Sequence, residues 1–324
     1  MTSYRDILTP TWLKTRYLAG VNLTFDDGTA YPDTIYQQAI DAAIRHVEQD
    51  LSIVLDVVTF KNERHDTYSS DQANFYEMAL HKRPVVDVSR IRMLLNQSEL
   101  AEIPSSWIYT DNRLHGRLAV VISLDGLQSF AYPGNLLFLR GALLNGGYLP
   151  GYLVVDYRAG FPIYTGTYQV TGGTNPVETI ALSPSAQEPD YFIDASVTSG
   201  SEADQAIRVS TVSRAVDEVQ LQLASTPSGN VTVTYTIMTA PSNLLHCIGL
   251  RAAMLPLDIA GDLIAGAGVA NSSISVDGIS QSIGTTSSPT NAGYGARVLQ
   301  FAKEYQATVN ALRGKYRLPG MVSF

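Results

Sequence analysis

The stretch that constrains the fold most strongly is PSNLLHCIGLRAAML, residues 241–255. Its apolar side chains surround a helix on nearly all sides, which is typical of a helix buried on more than one face. We expect Pro256 to kink or end this helix, because proline lacks the backbone N–H that a helix interior needs. A helix of this kind requires other apolar elements around it.

Two further helices are predicted from apolar spacing. The first follows Pro32, with Asp33 as a plausible N-cap, and its apolar residues fall on one face: Ile40, Ala43, Ile44, Val47 and Leu51. The last begins near Asn291 and ends at Gly314. Its apolar residues step by four and three: Val298, Ala302, Tyr305, Val309 and Leu312. Residues 1–32 show no such pattern and are predicted to form an irregular N-terminal arm.

The chain between these helices is predicted to be mainly β. Residues 53–60 form a run rich in valine and isoleucine, and short β-type runs separated by turn signals fill residues 84–157. Residues 162–240 differ in composition from the rest of the chain, since they contain no lysine, histidine or cysteine. Eight acidic residues against two arginines give this segment a net charge of −6. Their six short β-type runs between turn signals are typical of a small antiparallel sandwich.

A hairpin is predicted after the buried helix. Ile274 and Val276 precede the dipeptide Asp277-Gly278, and apolar residues resume at Ile279. Asp-Gly between alternating apolar residues is among the strongest short hairpin signals.

Composition excludes several classes of function. Only 16% of the 324 residues are charged and the net charge is −8, which argues against tight binding of nucleic acid through phosphate contacts. The same net charge remains compatible with a protein channel whose wall lets DNA slide past.

The single cysteine, Cys247, cannot form an internal disulfide. No apolar run approaches the ~18 residues that span a bilayer, because Gly249, Arg251 and Pro256 interrupt the longest one.

No catalytic, cofactor-binding or metal-binding residues are predicted. The sequence contains no P-loop, His-Glu-x-x-His or Gly-x-Ser-x-Gly motif. Its five histidines are scattered without metal-ligand spacing. Cys247 lies between apolar neighbours, which favours a buried, inert thiol. The sequence therefore predicts a protein that is not an enzyme.

Two segments that flank residues 162–240 resemble a known family. One is YRAGFP at 157–162, and the other is the pattern Pro-x-x-Leu-x-x-Cys-Ile-x-Leu-Arg-Ala-Ala at 241–253. Together they resemble the strand-to-helix junction of the head–tail connector (adaptor) proteins of tailed bacteriophages. The helix predicted at 34–50, the strand after it and Arg83-Pro84-Val85 resemble the opening of the same family.

Three further segments, at 257–268, 274–283 and 291–297, are similar to parts of phage structural proteins. The resemblance covers residues 34–161 loosely and 241–317 more closely. The chain is about twice the length of a minimal adaptor, and most of the excess lies in 162–240 and in the hairpins between 96 and 150.

Together with the β-type runs of 162–240, the resemblance predicts an α+β fold: a small helical bundle core with β-hairpins and strands, into which an all-β, sandwich-like module is inserted. The predicted domains are an arm at 1–32, an adaptor core at 33–161 plus 241–317, the module at 162–240 and a tail at 318–324. The resemblance also implies a homo-oligomeric ring, usually of twelve copies, at the head–tail interface of the virion. The partners would be the portal protein and a tail-completion or tail-terminator protein. Genomic DNA would pass through the channel without sequence-specific binding, and neither cofactor nor membrane is involved.

Two contact regions are predicted. The basic and aromatic C-terminal end is expected to dock on the portal, through these residues: Arg313, Lys315, Tyr316, Arg317, Leu318 and Phe324. The hairpin is expected to contact the next subunit, through these residues: Ile274, Val276, Asp277, Gly278 and Ile279. Two alternatives stay open, another neck or tail-completion protein of the virion, and a carbohydrate-binding protein that uses residues 162–240.

Overall fold

The structure is a computed structural model. It describes residues 3–25, 27–68, 77–95, 98–110, 113–120, 148–182, 191–200, 209–215, 217–265, 271–276, 279–284 and 294–316. Within them, helices occur together with several antiparallel sheets, which confirms the α+β class.

The helices are α1 (Tyr4–Ile7), α2 (Pro10–Arg16), α3 (Asp33–Leu51), α4 (Ser242–Ala265) and α5 (Gly295–Tyr316). The strands are β1 (Val58–Tyr68), β2 (Met78–Ala79), β3 (Val85–Leu95), β4 (Ser98–Glu102), β5 (Ile108–Tyr109), β6 (Arg117–Val120), β7 (Tyr148–Ala159), β8 (Ile163–Val170), β9 (Glu178–Ala181), β10 (Tyr191–Gly200), β11 (Val209–Arg214), β12 (Glu218–Leu223), β13 (Val231–Pro241), β14 (Asn271–Val276) and β15 (Ile279–Gly284).

The chain folds into two compact units. The first comprises the described residues of Met1–Leu51 and Ser242–Gly314, and the second those of Ser52–Pro241 and Lys315–Phe324. The predicted adaptor core and module differ from this division, because residues 52–161 share a unit with 162–240. Whether 162–240 folds independently stays a prediction.

The first unit is built on three long helices. The apolar face predicted for α3 is buried, and α4 packs against it. Around α4 the buried positions point in most directions, as the sequence predicted; they include Leu244, Cys247, Ile248, Leu250, Ala253 and Leu257. On α5, Tyr305, Val309 and Leu312 are buried as predicted, whereas Ala302 is exposed.

The second unit contains four antiparallel sheets. Strands β1-β7-β3-β4 form one sheet and β2-β6-β5 a smaller one, and both contribute to the same apolar cluster, which contains Trp107, Leu118 and Tyr157. Two three-stranded sheets, β10-β13-β8 and β11-β12-β9, follow in the chain. Residues from both of these sheets share two further apolar clusters, one around Leu221 and Ile237 and one around Leu223 and Val233.

Gly160 lies where the chain leaves the four-stranded sheet. Its φ is +135°, and a Cβ atom there would stand 2.4 Å from the carbonyl oxygen of Asp56. Its N–H donates to the carbonyl of Pro84, and the N–H of Phe161 donates to that of Leu55. Only glycine permits this close approach of backbone segments, which explains its place in the YRAGFP segment.

Three sequence-based predictions need correction and a fourth, on Pro256, is narrowed. The first 32 residues are not wholly irregular, because Ser3 and Thr9 cap the short helices α1 and α2. The strand predicted at 53–60 begins only at Val58. Helix α4 does not end at Pro256 but continues to Ala265, so of the two expected outcomes only the kink stays a prediction. Helix α5 continues through Gly314 to Tyr316, because glycine lowers helix stability without forbidding the helical conformation.

Because α4 continues through Pro256, it contains an apolar stretch longer than the one considered from the sequence. By length and composition alone, Ser242–Gly261 is one stretch of the described chain that could cross a membrane. As evidence for a membrane span this is weak, since most of the stretch is buried inside the fold and the core helix of a globular unit passes the same test.

Candidate functional site

The predicted hairpin forms, and it stands as a separate two-stranded sheet among the described strands. Strands β14 and β15 pair without a register shift from Asn271↔Gly284 to Val276↔Ile279. The last pair leaves a two-residue connection, as expected for an Asp-Gly turn. Asp277 and Gly278 themselves lie outside the described residues. A contact with another subunit through this hairpin stays a prediction.

The structure divides the predicted portal-docking residues. Arg313 and Lys315 lie half-buried near the end of α5, while Arg317, Leu318 and Phe324 lie outside the described residues. The guanidinium of Arg313 hydrogen-bonds the side-chain oxygen of Asn310 at 3.2 Å. Docking through these groups is untested.

Tyr316 is an interior residue of the second unit. Its side chain is fully buried and its ring packs edge-on against Phe161. Its carbonyl oxygen accepts a hydrogen bond of 2.7 Å from Nη1 of Arg83. The ring and carbonyl are therefore occupied by the fold itself, which leaves Arg313 and Lys315 as the described residues of the docking hypothesis.

A chain of hydrogen bonds that the sequence did not predict links Tyr17, the C-cap residue of α2, with α4 and α5. The hydroxyl of Tyr17 lies 3.1 Å from Nδ1 of His246, and Nε2 of His246 lies 3.0 Å from Oε1 of Glu304. Arg297 also donates a 2.8 Å hydrogen bond to the carbonyl oxygen of Tyr17. The four residues fix the N-terminal segment to the long helices. Sequence spacing carries no signal for this, because Tyr17 and His246 are 229 residues apart.

The order tyrosine, histidine, carboxylate has the connectivity of a nucleophile, a base and an orienting acid. Burial, however, raises the pKa of Tyr17 to about 12. A phenol of this pKa stays protonated near neutral pH, and the described contacts clamp the N-terminal segment to the long helices.

A second polar cluster that the sequence did not predict surrounds Glu63 in the four-stranded sheet. Its carboxylate accepts hydrogen bonds from the hydroxyl of Tyr157 at 2.5 Å, Nε2 of His65 at 2.9 Å and the backbone N–H of His81 at 2.9 Å. The imidazole rings of His65 and His81 stack 5.5 Å apart. Burial raises the pKa of Glu63, but these hydrogen bonds outweigh it and hold the pKa below its ordinary value.

Neither cluster adds up to a metal centre. Among the residues that the structure describes, no group of three or more histidine, cysteine, aspartate or glutamate side chains is arranged to hold a metal ion. Cys247 is buried, and burial raises the pKa of its thiol to about 12. This is the environment of an unreactive thiol.

Comparison with known proteins identified no matching family model and no matching curated sequence.

Proposed function

We propose that the protein is a structural component of a tailed-phage virion, a head–tail adaptor that forms a ring beneath the portal and joins capsid to tail. One observation carries the proposal. The N-terminal helix α3 and the C-terminal helices α4 and α5, which lie in the segments that resemble adaptors, come together in one compact unit although some 190 residues separate them in sequence.

The contacts within that unit support a helical bundle as the adaptor core. Helix α3 packs on α4, the hydroxyl of Tyr305 on α5 donates a 2.7 Å hydrogen bond to Asp50 on α3, and His246 on α4 pairs with Glu304 on α5. Each long helix is thereby joined to the other two, as a bundle requires.

The two three-stranded sheets of 162–240 support a sandwich as the fold of the inserted module. Val219 and Leu221 of one sheet and Ile237 of the other lie in a common buried cluster. A β-sandwich forms in this way, when the inner faces of two sheets interdigitate. In an adaptor ring, each subunit would carry one such module.

The charge of the chain supports a conduit for DNA. A net charge of −8 gives phosphates little to adhere to, so DNA would pass without sequence-specific binding. The proposed partners are further copies of the chain, the portal and a tail-completion or tail-terminator protein. The proposed role is structural, without catalysis or cofactor, at the head–tail interface of the virion.

Electron microscopy and native mass spectrometry of the purified protein, with and without its portal, test the proposal. Closed rings, usually of twelve copies in this family, that cap the portal are the expected result. A protein that remains monomeric and does not bind the portal would refute the adaptor function. Binding to the tail tube in place of the portal would identify another neck or tail-completion protein.

A further inference from the structure

Most edge strands in the described sheets carry features that prevent pairing with another chain. Strand β1 contains five titratable residues between Lys61 and Asp66 and two register shifts, and β4 carries Glu99 and Glu102. The edges β2 and β5 are only two residues long. Charges, irregularities and shortness are the usual means of protecting a sheet edge.

The outer strands of the next two sheets are protected in the same way, with one exception. Strand β10 contains Asp194 and two register shifts, β11 has a register shift and Arg214, and β9 has four residues that include Glu178. Each of these edges would pair poorly with an added strand.

Strand β8 is the exception. Its eight residues, IYTGTYQV, contain neither charge nor proline, and all eight pair with β13 without a register shift. It is the outer strand of its sheet in the described part of the chain. A long, regular, uncharged edge is a template for a further strand.

The β14–β15 hairpin has the matching property. Its strands, NSSISV and ISQSIG, are uncharged and regularly paired, and the described structure joins them to no third strand. An isolated two-stranded hairpin is marginally stable in water and normally gains its order from a third strand or a packed helix.

We propose that β8 of one copy accepts the β14–β15 hairpin of a neighbouring copy, which extends the sheet β10-β13-β8 across the subunit boundary. The inference rests on the proposed ring and names the surface that the hairpin meets. Because donor and acceptor are different surfaces of the same chain, the contact is heterologous and repeats from copy to copy, as a closed ring requires. Backbone hydrogen bonds would supply the affinity.

A lysine on the acceptor edge tests the contact. The side chain of Thr167 on β8 is exposed, so Thr167→Lys adds a charge beside the proposed partner without disturbing a buried site. Thr211→Lys is the matched control, because Thr211 is exposed on β11, an edge that is already protected. We expect Thr167→Lys to raise the protein concentration needed for assembly at least tenfold and Thr211→Lys to leave it unchanged.

Hydrogen–deuterium exchange provides a second measurement that does not depend on a substitution. Those amides of 163–170 that point away from β13 should exchange at least tenfold more slowly in the ring than in the dilute monomer. Rings that form with unprotected β8 amides, or a Thr167→Lys variant that assembles like the parent, would overturn the inference but leave the adaptor proposal intact. Protection of these outward-pointing amides already present in the monomer would also overturn it. Absence of any self-association would refute the ring, and the inference with it.

Discussion

The backbone N–H and the hydroxyl of Thr239 both donate to the carbonyl oxygen of Pro162, at 3.3 and 2.9 Å. The two residues are 77 positions apart, yet they hold the beginning and the end of the β-rich segment 162–240 together. The ends of 162–240 therefore lie next to each other.

Replacing 163–238 with a short Gly/Ser linker should leave a folded protein, because closing a short loop between adjacent ends costs little free energy. Helix content by circular dichroism and cooperative unfolding in urea should persist. The variant lacks β8 and should not assemble. Aggregation, or loss of cooperative unfolding, would show that the segment belongs to the core.

Gly249→Ala should destabilise the protein, because a Cβ atom there would lie 2.1 Å from the ring of Tyr17. We expect the free energy of unfolding to fall by about 1–3 kcal/mol, as for other overpacked sites. Gly314→Ala is the control, since a Cβ at that helical position meets no atom within 4 Å. It should stabilise the helix by roughly 0.5–1 kcal/mol.

Combining Gly249→Ala with Tyr17→Ala isolates the clash. Removal of the ring should relieve most of the strain that the alanine at 249 introduces, so the double variant should be more stable than the sum of the two single effects predicts. Urea denaturation of all four proteins provides the measurement. Strict additivity would show that Tyr17 does not occupy this position.

Glu63 should make stability depend on pH. Its pKa is lowered in the folded protein, so its contribution is fully present above the ordinary value of 4.5 and is lost as the pH falls through the folded value. Urea titrations between pH 3 and 7 should show Glu63→Gln destabilising most at neutral pH and least in acid. Tyr157→Phe, which removes one donor, should weaken this pH dependence. A stability difference that is the same at all pH values would contradict the prediction.

Two truncations separate the fold from docking. A chain that ends at Tyr316 should keep its stability but fail to co-sediment with portal. A chain that ends at Gly314 also loses the buried Tyr316 ring and should lose about 3–5 kcal/mol of stability, as for other large buried aromatics. Unchanged portal affinity of the first variant would show that residues 317–324 take no part in docking.

Gly278→Val should weaken ring assembly while helix content stays normal. A type I′ turn needs positive φ at both central residues, which a β-branched side chain disfavours. Asp277→Asn is the control, because Asn-Gly suits the same turn. Sedimentation velocity at several concentrations distinguishes the two; equal assembly of both variants would reduce the hairpin to a local feature.

Local patterns were sufficient to predict much of the secondary structure. The apolar stripe of α3, the apolar surface of α4 and the Asp-Gly signal between β14 and β15 all predicted the observed elements, since each depends on residues within a few positions of one another. Boundaries were less well predicted. Pro256 and Gly314 weaken a helix locally, but α4 and α5 continue through them, and on both helices apolar residues beyond these positions are buried.

The sequence by itself determined the α+β class, the apolar faces of the helices and the hairpin. Tertiary structure alone decided that Tyr17 contacts His246 and that Glu63 accepts three hydrogen bonds. It also decided that Tyr316 is an interior residue and that β8 is an unprotected edge strand. The physical reason is distance along the chain. Periodicity records which face of an element avoids water, whereas the partner of a polar group and the neighbour of a strand depend on how remote segments pack together.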